Sequence, residues 1–288
     1  MLFALTGCIK ESLDECKTGD IEIKVYVEKF QATSEVIPDD MEASFDTRIK
    51  NLRYYLYQGN MLLEQGTIDD LSGVTGPDYI FRRTDLAFGS YTLALVGNGT
   101  DAVLEGSPDQ PGGFLLVYPE ADRTDDYFTA VFPFTVDCQC VTYLETALQR
   151  AHGVVRFHFV NLPPRTVELA MTLEGVSGAK QVTGGFTGSR DVTYRIPVGA
   201  LTASDTPQAV IGTFPTANGG QTVYRLALYG TDPQTPFYNG TVSDNAPVKR
   251  NQLTDVLATF TPEGDINVSI ELDKEWDGSL EGGGTDID

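Results

Sequence analysis

The chain has 288 residues, 41% of them hydrophobic, and its 41 acidic against 20 basic residues give a formal net charge of −21. Domains cluster near ~100–150 residues, so this length suits two domains. A nucleic-acid backbone has to be met by Lys and Arg, and the acidic excess therefore excludes nucleic acid as a partner and disfavours electrostatic attachment to an anionic membrane.

The chain begins with a short apolar run that ends in Leu5-Thr6-Gly7-Cys8. Small side chains beside the cut suit the shallow pocket of a signal peptidase, and a cysteine after the cut offers a thiol for acylation. The pattern predicts Cys8 as the lipidated first residue of the mature protein, rather than a buried cysteine in a short strand. No basic residue precedes the run, which favours a true start that lies upstream.

Residues 9–20 are polar and acidic, and we predict a flexible spacer there. No other segment approaches the ~20 apolar residues of a spanning helix, so the protein is expected to be anchored by lipid and not to be integral. Residues 21–27 then alternate apolar and polar side chains with a period of two. This predicts a half-buried strand whose apolar positions are Ile21, Ile23 and Val25.

The rest of the first half contains several runs with strand character. Gln58-Gly59-Asn60 predicts a turn between two of them. Helical spacing occurs at residues 141–151, which could equally continue a strand, and we place the domain boundary there. The predicted strands are 49–57, 61–68, 79–82, 91–96, 114–118 and 127–136.

The second half repeats this texture, and its last strand carries Ile266, Val268, Ile270 and Leu272 at alternate positions. Many short strands with regular turns are typical of all-β sandwiches. We predict two tandem β-sandwich domains, at 21–148 and 149–274, and a disordered acidic tail at 275–288. The predicted strands are 153–160, 167–173, 181–186, 192–196, 209–214, 222–228, 237–242, 255–260 and 266–272.

If Cys8 is acylated, Cys16, Cys138 and Cys140 remain. The last two lie two residues apart in a strand-like run and so point to the same face. A disulfide from Cys16 to one of them would fasten the N-terminal lead to the first domain, a pairing that stays open here. Three cysteines and two distant histidines are too few ligands for zinc, and no metal or other cofactor is expected.

Catalytic motifs are absent from the sequence, which contains no G-x-S-x-G, H-E-x-x-H or phosphate-binding loop. His152 and His158 lie near one predicted strand, whose alternation places both on the same side. Histidine in a strand is more often structural than catalytic, so no enzyme is predicted. A pocket that joins either histidine to carboxylates would favour an enzyme instead. Acidic pairs, Asp125-Asp126 among them, are predicted to be solvated in polar loops, where such groups can also bind Ca²⁺.

Several segments occur in an order that resembles one family. They are Cys8–Cys16 (CIKESLDEC), the strand at 21–27, the strand at 49–57 with its turn, the run from Gly89 to Asn98 and the junction at 148–157. Together they resemble the FimB/Mfa2 family of Bacteroidales fimbrial anchor proteins. The resemblance covers nearly the whole chain after residue 8.

The resemblance implies two transthyretin-like sandwiches and a lipid-anchored, surface-exposed subunit at the base of a type V fimbria on the outer membrane. Its implied partners are fimbrial subunits, either the major pilin or an accessory subunit, which join by inserting an extended strand into a neighbour's sheet. The candidates for the exchanged strand are the last one, with Ile266, Val268, Ile270 and Leu272, and the first one, with Ile21, Ile23 and Val25.

A second hypothesis is a surface lipoprotein that binds a glycan or a host molecule through loop aromatics. Its proposed platform is Tyr79, Tyr118 and Tyr127. Exposed, coplanar rings in the structure would favour this hypothesis. A long exchangeable terminal strand would favour fimbrial assembly.

Overall fold

The structure is a computed structural model that describes residues 17–28, 44–118, 126–138, 141–201, 207–241, 246–260 and 266–271. Strands dominate these residues, and the only α-helix among them, α1 (Phe45–Arg48), is a single turn. In this part of the chain no helix has the length and apolar character needed to span a membrane. The predicted all-β class is confirmed.

Nineteen strands are described, nine of them before residue 151. The first nine are β1 (Thr18–Val27), β2 (Leu52–Gln58), β3 (Met61–Ile68), β4 (Asp78–Ala87), β5 (Gly89–Gly97), β6 (Leu104–Glu105), β7 (Leu115–Leu116), β8 (Phe128–Val136) and β9 (Val141–Arg150). The others are β10 (Gly153–Val160), β11 (Glu168–Val176), β12 (Ala179–Gln181), β13 (Phe186–Thr187), β14 (Arg190–Pro197), β15 (Gln208–Thr213), β16 (Val223–Tyr229), β17 (Tyr238–Thr241), β18 (Leu253–Phe260) and β19 (Ile266–Glu271).

The first sandwich packs the strands β4-β1-β9 against β3-β2-β5-β8. The two layers join where β8 and β9 pair through Phe128↔Arg150 and Thr129↔Gln149. Strand β1 shows why the sequence folds this way, since its burial alternates residue by residue and puts Ile21, Ile23 and Val25 into the core. A period of two places every second side chain on the same face of a strand.

Residues 141–151 are strand and not helix through Arg150. Strand β9 runs parallel to β1, from Asp20↔Val141 to Val27↔Leu148. This backbone pairing and the burial of Leu148 override the helical spacing of the apolar residues. The predicted boundary after residue 148 falls inside β9, and the domain limits themselves stay a prediction.

The second sandwich packs the sheet β15-β10-β18-β19 against the sheet β14-β11-β16-β17. Its core contains residues from both sheets, among them Phe157, Phe159, Met171, Leu226 and Phe260. Strand β10 begins at Gly153, where a Cβ atom would meet the Lys249 carbonyl oxygen. Glycine therefore allows the chain to enter this sheet immediately after the first sandwich ends.

A small sheet of order β13-β12-β7-β6 joins the two sandwiches. Strands β6 and β7 come from the first half of the chain, and β12 and β13 form a hairpin in the second half. The run predicted as one strand at 181–186 is this hairpin, because a turn containing Gly184 separates its two arms. A third core lies beside the small sheet and includes Tyr57, Phe114 and Leu116 from the first half and Val182 and Phe214 from the second.

Candidate functional site

The last described strand, β19, lies at the edge of its sheet. It pairs with β18 in antiparallel fashion, from Phe260↔Ile266 to Asp255↔Glu271. No strand in the described ranges pairs with its other edge. An edge strand presents a row of backbone N–H and C=O groups that another chain can pair with, which is the feature that strand addition uses.

The register of β19 matches the predicted exchange positions to the core. Three of them lie opposite residues of β18 that are at most 1% exposed: Ile266 opposite Phe260, Val268 opposite Ala258 and Ile270 opposite Val256. Opposite positions of an antiparallel pair belong to the same face of the sheet. The fourth predicted position, Leu272, lies outside the described residues.

Strand β18 has a second partner that does not depend on β19. It runs parallel to β10, from Val154↔Leu253 to Val160↔Thr259. The departure of β19 would therefore leave β18 paired on one side and would open its other edge. The ring of Phe260 also meets Tyr238 of β17, the edge strand of the facing sheet, with ring centroids 6.5 Å apart.

Strand β1 differs from β19, because both of its edges are paired. It is parallel to β9 on one side and antiparallel to β4 on the other. Ile21, Ile23 and Val25 are each at most 1% exposed. Withdrawal of β1 would break two ladders and open the first core, whereas withdrawal of β19 would break one ladder.

The predicted lipidation and disulfide residues lie mostly outside the described ranges. Cys8, Cys16 and Cys140 are among the residues not described, whereas Cys138 is described and is disulfide-bonded. The partner of Cys138 in this disulfide lies outside the described residues. The pairing of Cys16 with Cys138 or Cys140 therefore stays a prediction.

Each histidine does meet a carboxylate, but each carboxylate is also paired with an arginine. His152 Nε2 lies 2.7 Å from Asp126 Oδ1, and Arg150 Nη2 lies 2.9 Å from Asp126 Oδ2. The second cluster has the same composition. Asp255 accepts hydrogen bonds from Arg156 Nε at 2.6 Å and Arg156 Nη2 at 2.8 Å, and its Oδ1 lies 2.9 Å from His158 Nε2.

These two clusters link elements of the fold. His152 is fully buried, with its ring against Tyr118, and Asp255 joins β18 to β10. The prediction that Asp126 is solvated is wrong, because its side chain is 12% exposed and faces Arg150 and His152. Arg150 Nη1 also donates to Asn251 Oδ1 at 3.3 Å, which ties the end of β9 to the second sandwich.

Burial and the neighbouring charges together set the protonation of His152 and Asp126. It lowers the pKa of His152 below the usual 6.5, and the nearby Asp126 carboxylate offsets this only in part. Burial alone would raise the pKa of Asp126, but the Arg150 charge and His152 outweigh it and the pKa lies below its usual 3.8. The cluster therefore holds a neutral histidine beside an Arg–Asp ion pair at neutral pH.

The aromatic platform of the glycan-binding hypothesis is not exposed. Tyr118 and Tyr127 are each 1% exposed and meet edge to face in the third core, with centroids 5.5 Å apart. Tyr79 stacks on Phe45 at the first core. Sequence alone marks these residues as loop aromatics, whereas the structure uses them to fill cores.

The described residues do not form a metal site. Among them, no group of three or more His, Cys, Asp or Glu side chains is placed to hold a metal ion. Asp70, which with Asp69 forms another acidic pair in the sequence, accepts hydrogen bonds from the backbone N–H and the hydroxyl of Ser72. This carboxylate stabilises its own turn.

Comparison with known proteins extends over most of the chain. A family model described as fimbrillin-A associated anchor proteins Mfa1 and Mfa2 matches residues 13–279. Among curated protein sequences, none matches at a significant level.

Several solved structures share the fold. The fimbrial anchor protein Mfa2 from Porphyromonas gingivalis is 12% identical, with a TM-score of 0.60 over 89% of this chain and 100% of that chain. A provisionally assigned polysaccharide-binding protein from Bacteroides thetaiotaomicron is 13% identical, with a TM-score of 0.61 over 89% and 99%. A provisionally assigned adhesin from Bacteroides ovatus is 12% identical, with a TM-score of 0.57 over 89% and 93%. At these identities the likeness concerns the fold alone.

The buried histidine predicts a loss of stability in mild acid. The unfolded chain takes up a proton on His152 near pH 6.5, whereas the folded chain does so only at lower pH, so stability falls as pH drops below 6.5. Between pH 7.5 and 5.5 we expect a loss of about 1 kcal/mol in the free energy of unfolding, measured by urea titration. His152→Gln should remove this loss, and the control His158→Gln, which keeps His152 and Asp126, should retain it. An equal loss in His152→Gln would contradict the assignment.

Proposed function

The chain belongs to the family of fimbrillin-A associated anchor proteins Mfa1 and Mfa2, and on that premise we propose that it is a surface lipoprotein that anchors and assembles type V fimbriae by lipid tethering and strand complementation. The family, together with the anchor and adhesin neighbours in fold, supports a fimbrial or adhesin role at the cell surface. The proposal adds that a lipid tethers the protein to the outer membrane and that a strand is exchanged with a neighbouring subunit.

The single observation that carries the strand step is the position of β19. This strand is terminal among the described elements, it is paired on one edge, and its register matches alternate residues to a buried core. Strand addition needs these features, because main-chain hydrogen bonds supply affinity and alternate side chains select the register. Beside β18, either β19 or a neighbouring subunit's strand with the same alternation would fit.

The same sheet explains why exchange would leave a folded protein. Strand β18 keeps its parallel ladder to β10 when β19 leaves, and Asp255 keeps its bidentate pair with Arg156. The acceptor edge would thus remain in place for an incoming strand. The partners in this proposal are the major pilin or an accessory fimbrial subunit.

The lipid step rests on the sequence. Leu5-Thr6-Gly7-Cys8 supplies the acylation pattern, and the polar residues 9–17 would separate the lipid from β1, which begins at Thr18. Acyl chains contribute about 0.8 kcal/mol per buried CH₂, so stable anchoring takes more than one chain. The strongly acidic surface would be repelled by anionic lipid and would keep the fold away from the membrane.

Deletion of residues 266–288 tests the strand step in cells. We expect fimbriae to disappear from the surface, because no strand is left for exchange, and electron microscopy with antibody against the major subunit measures this. Deletion of residues 275–288 is the matched control, which keeps β19 and should keep fimbriae. Normal fimbriae on cells that lack residues 266–288 would contradict the assignment.

A peptide experiment separates strand exchange from simple loss of folding. A synthetic peptide of residues 264–274 should bind the purified protein that lacks residues 266–288, measured by calorimetry after circular dichroism has shown that its strands persist. Replacing Ile266, Val268 and Ile270 by Ser should abolish binding, whereas replacing Asn267 and Ser269 by Ala should preserve it. Equal binding of both peptides would contradict the register.

Mass spectrometry of the N-terminal peptide tests the lipid step. Protein extracted from native membranes should carry acyl chains on Cys8, and Cys8→Ala should appear in the soluble fraction. The control is Cys16→Ala, which leaves the acylation pattern intact and should stay in the membrane. An unmodified Cys8 in protein that remains soluble would overturn the tether.

A further inference from the structure

Strand β1 runs from the far end of the first sandwich to the junction with the second. Beyond its last residue, the Glu28 N–H donates to the Leu148 carbonyl at 2.9 Å, and the Glu28 carboxylate lies 3.5 Å from Arg250 of the second sandwich. Thr18 is at the opposite end of the strand. At about 3.3 Å per residue the two ends are roughly 30 Å apart.

The chain leaves the first sandwich at this same junction. Because β9 is parallel to β1, its last residue, Arg150, lies beside the end of β1 and not beside its beginning. Arg150 is held there by Asp126 at 2.9 Å and by Asn251 at 3.3 Å. The N-terminal entry and the exit to the second sandwich are therefore at opposite ends of one parallel pair.

This arrangement decides how the ladder responds to force. Backbone hydrogen bonds lie across the strands, so a pull along β1 shears them. The eight residue pairs from Asp20↔Val141 to Val27↔Leu148 would then share the force, together with the ladder to β4. A pull that separates two strands from one end would instead break the pairs one after another.

Side chains fasten both faces of β1. On the inner face, Ile21, Ile23 and Val25 are buried in the first core. On the outer face, Glu22 pairs with Arg82 at 2.9 Å and Lys24 with Asp78 at 3.2 Å, both across to β4. Exposed ion pairs contribute little on their own, so the two ladders and the buried face carry most of the resistance.

We propose that β1, held between β9 and β4, is a mechanical clamp that resists tension applied between the N-terminus and the second sandwich. The proposed function enters only as the source of this tension, which a lipid at Cys8 and a fimbria bound at β19 would apply from the two ends. The clamp itself is a property of the folded chain. In this proposal β1 resists the force and β19 binds the neighbouring subunit.

Single-molecule force spectroscopy on the full chain tests the clamp through the choice of pulling points. One handle replaces Lys17, which is exposed, and the other replaces either Gln149 or Phe88, which are also exposed. Pulling between 17 and 149 shears the β1–β9 ladder along its length. Pulling between 17 and 88 acts at the end where Thr18 pairs with Ala87, and peels β1 from β4 pair by pair.

We expect the first pair of handles to need a rupture force several times that of the second at the same loading rate. Both proteins should unfold at the same urea concentration, which shows that geometry and not stability makes the difference. Equal rupture forces would overturn the clamp. That result would leave the fimbrial proposal standing, because the deletion of residues 266–288 tests it separately, and a failure of that deletion would leave the force measurement valid.

Discussion

Backbone pairing at the edges of the two terminal strands is the constraint on which the rest of this structure depends. Strand β1 has partners on both edges, and its alternate side chains are buried in the first core. Strand β19 is paired with β18 on one edge, at register positions opposite core residues. The first strand is therefore held on both edges, and the last described strand leaves one edge open to pairing with another chain, which is the feature that the proposed strand exchange requires.

The two sandwiches are joined by a small sheet, a third core and a buried ion pair. A four-stranded sheet contains strands from both halves of the chain, and the third core packs beside it. Arg150 adds a buried link, since its guanidinium reaches both Asp126 and Asn251. Removal of either partner of this buried ion pair would leave an uncompensated charge in the interior, which is strongly destabilising. Because burial lowers the pKa of the His152 beside it, we expect the junction to lose stability in acid.

Much of the fold could be predicted from alternation alone, because the long strands bury one face. Residues 21–27 are an example, since the predicted alternation appears as alternating burial in β1. Strand β9 could not be assigned from alternation, because the spacing of Leu144 and Leu148 also fits a helix. Its pairing with β1 makes this segment a strand. The burial of Asp126 could not be predicted, because its partners are Arg150, at the end of β9, and His152, just before β10. Strands of two residues, such as β6 and β13, are too short to show any period.

Hydrogen exchange of the backbone amides tests the contrast between the two terminal strands most directly. The account predicts that amides of residues 266–271 exchange through local opening of β19, well before those of residues 18–27, which exchange only when the first sandwich unfolds. Residues 253–260 of β18 should remain protected on the side that pairs with β10. Protection of β19 equal to that of β1 would contradict the account, because the last strand would then be as firmly held as the first.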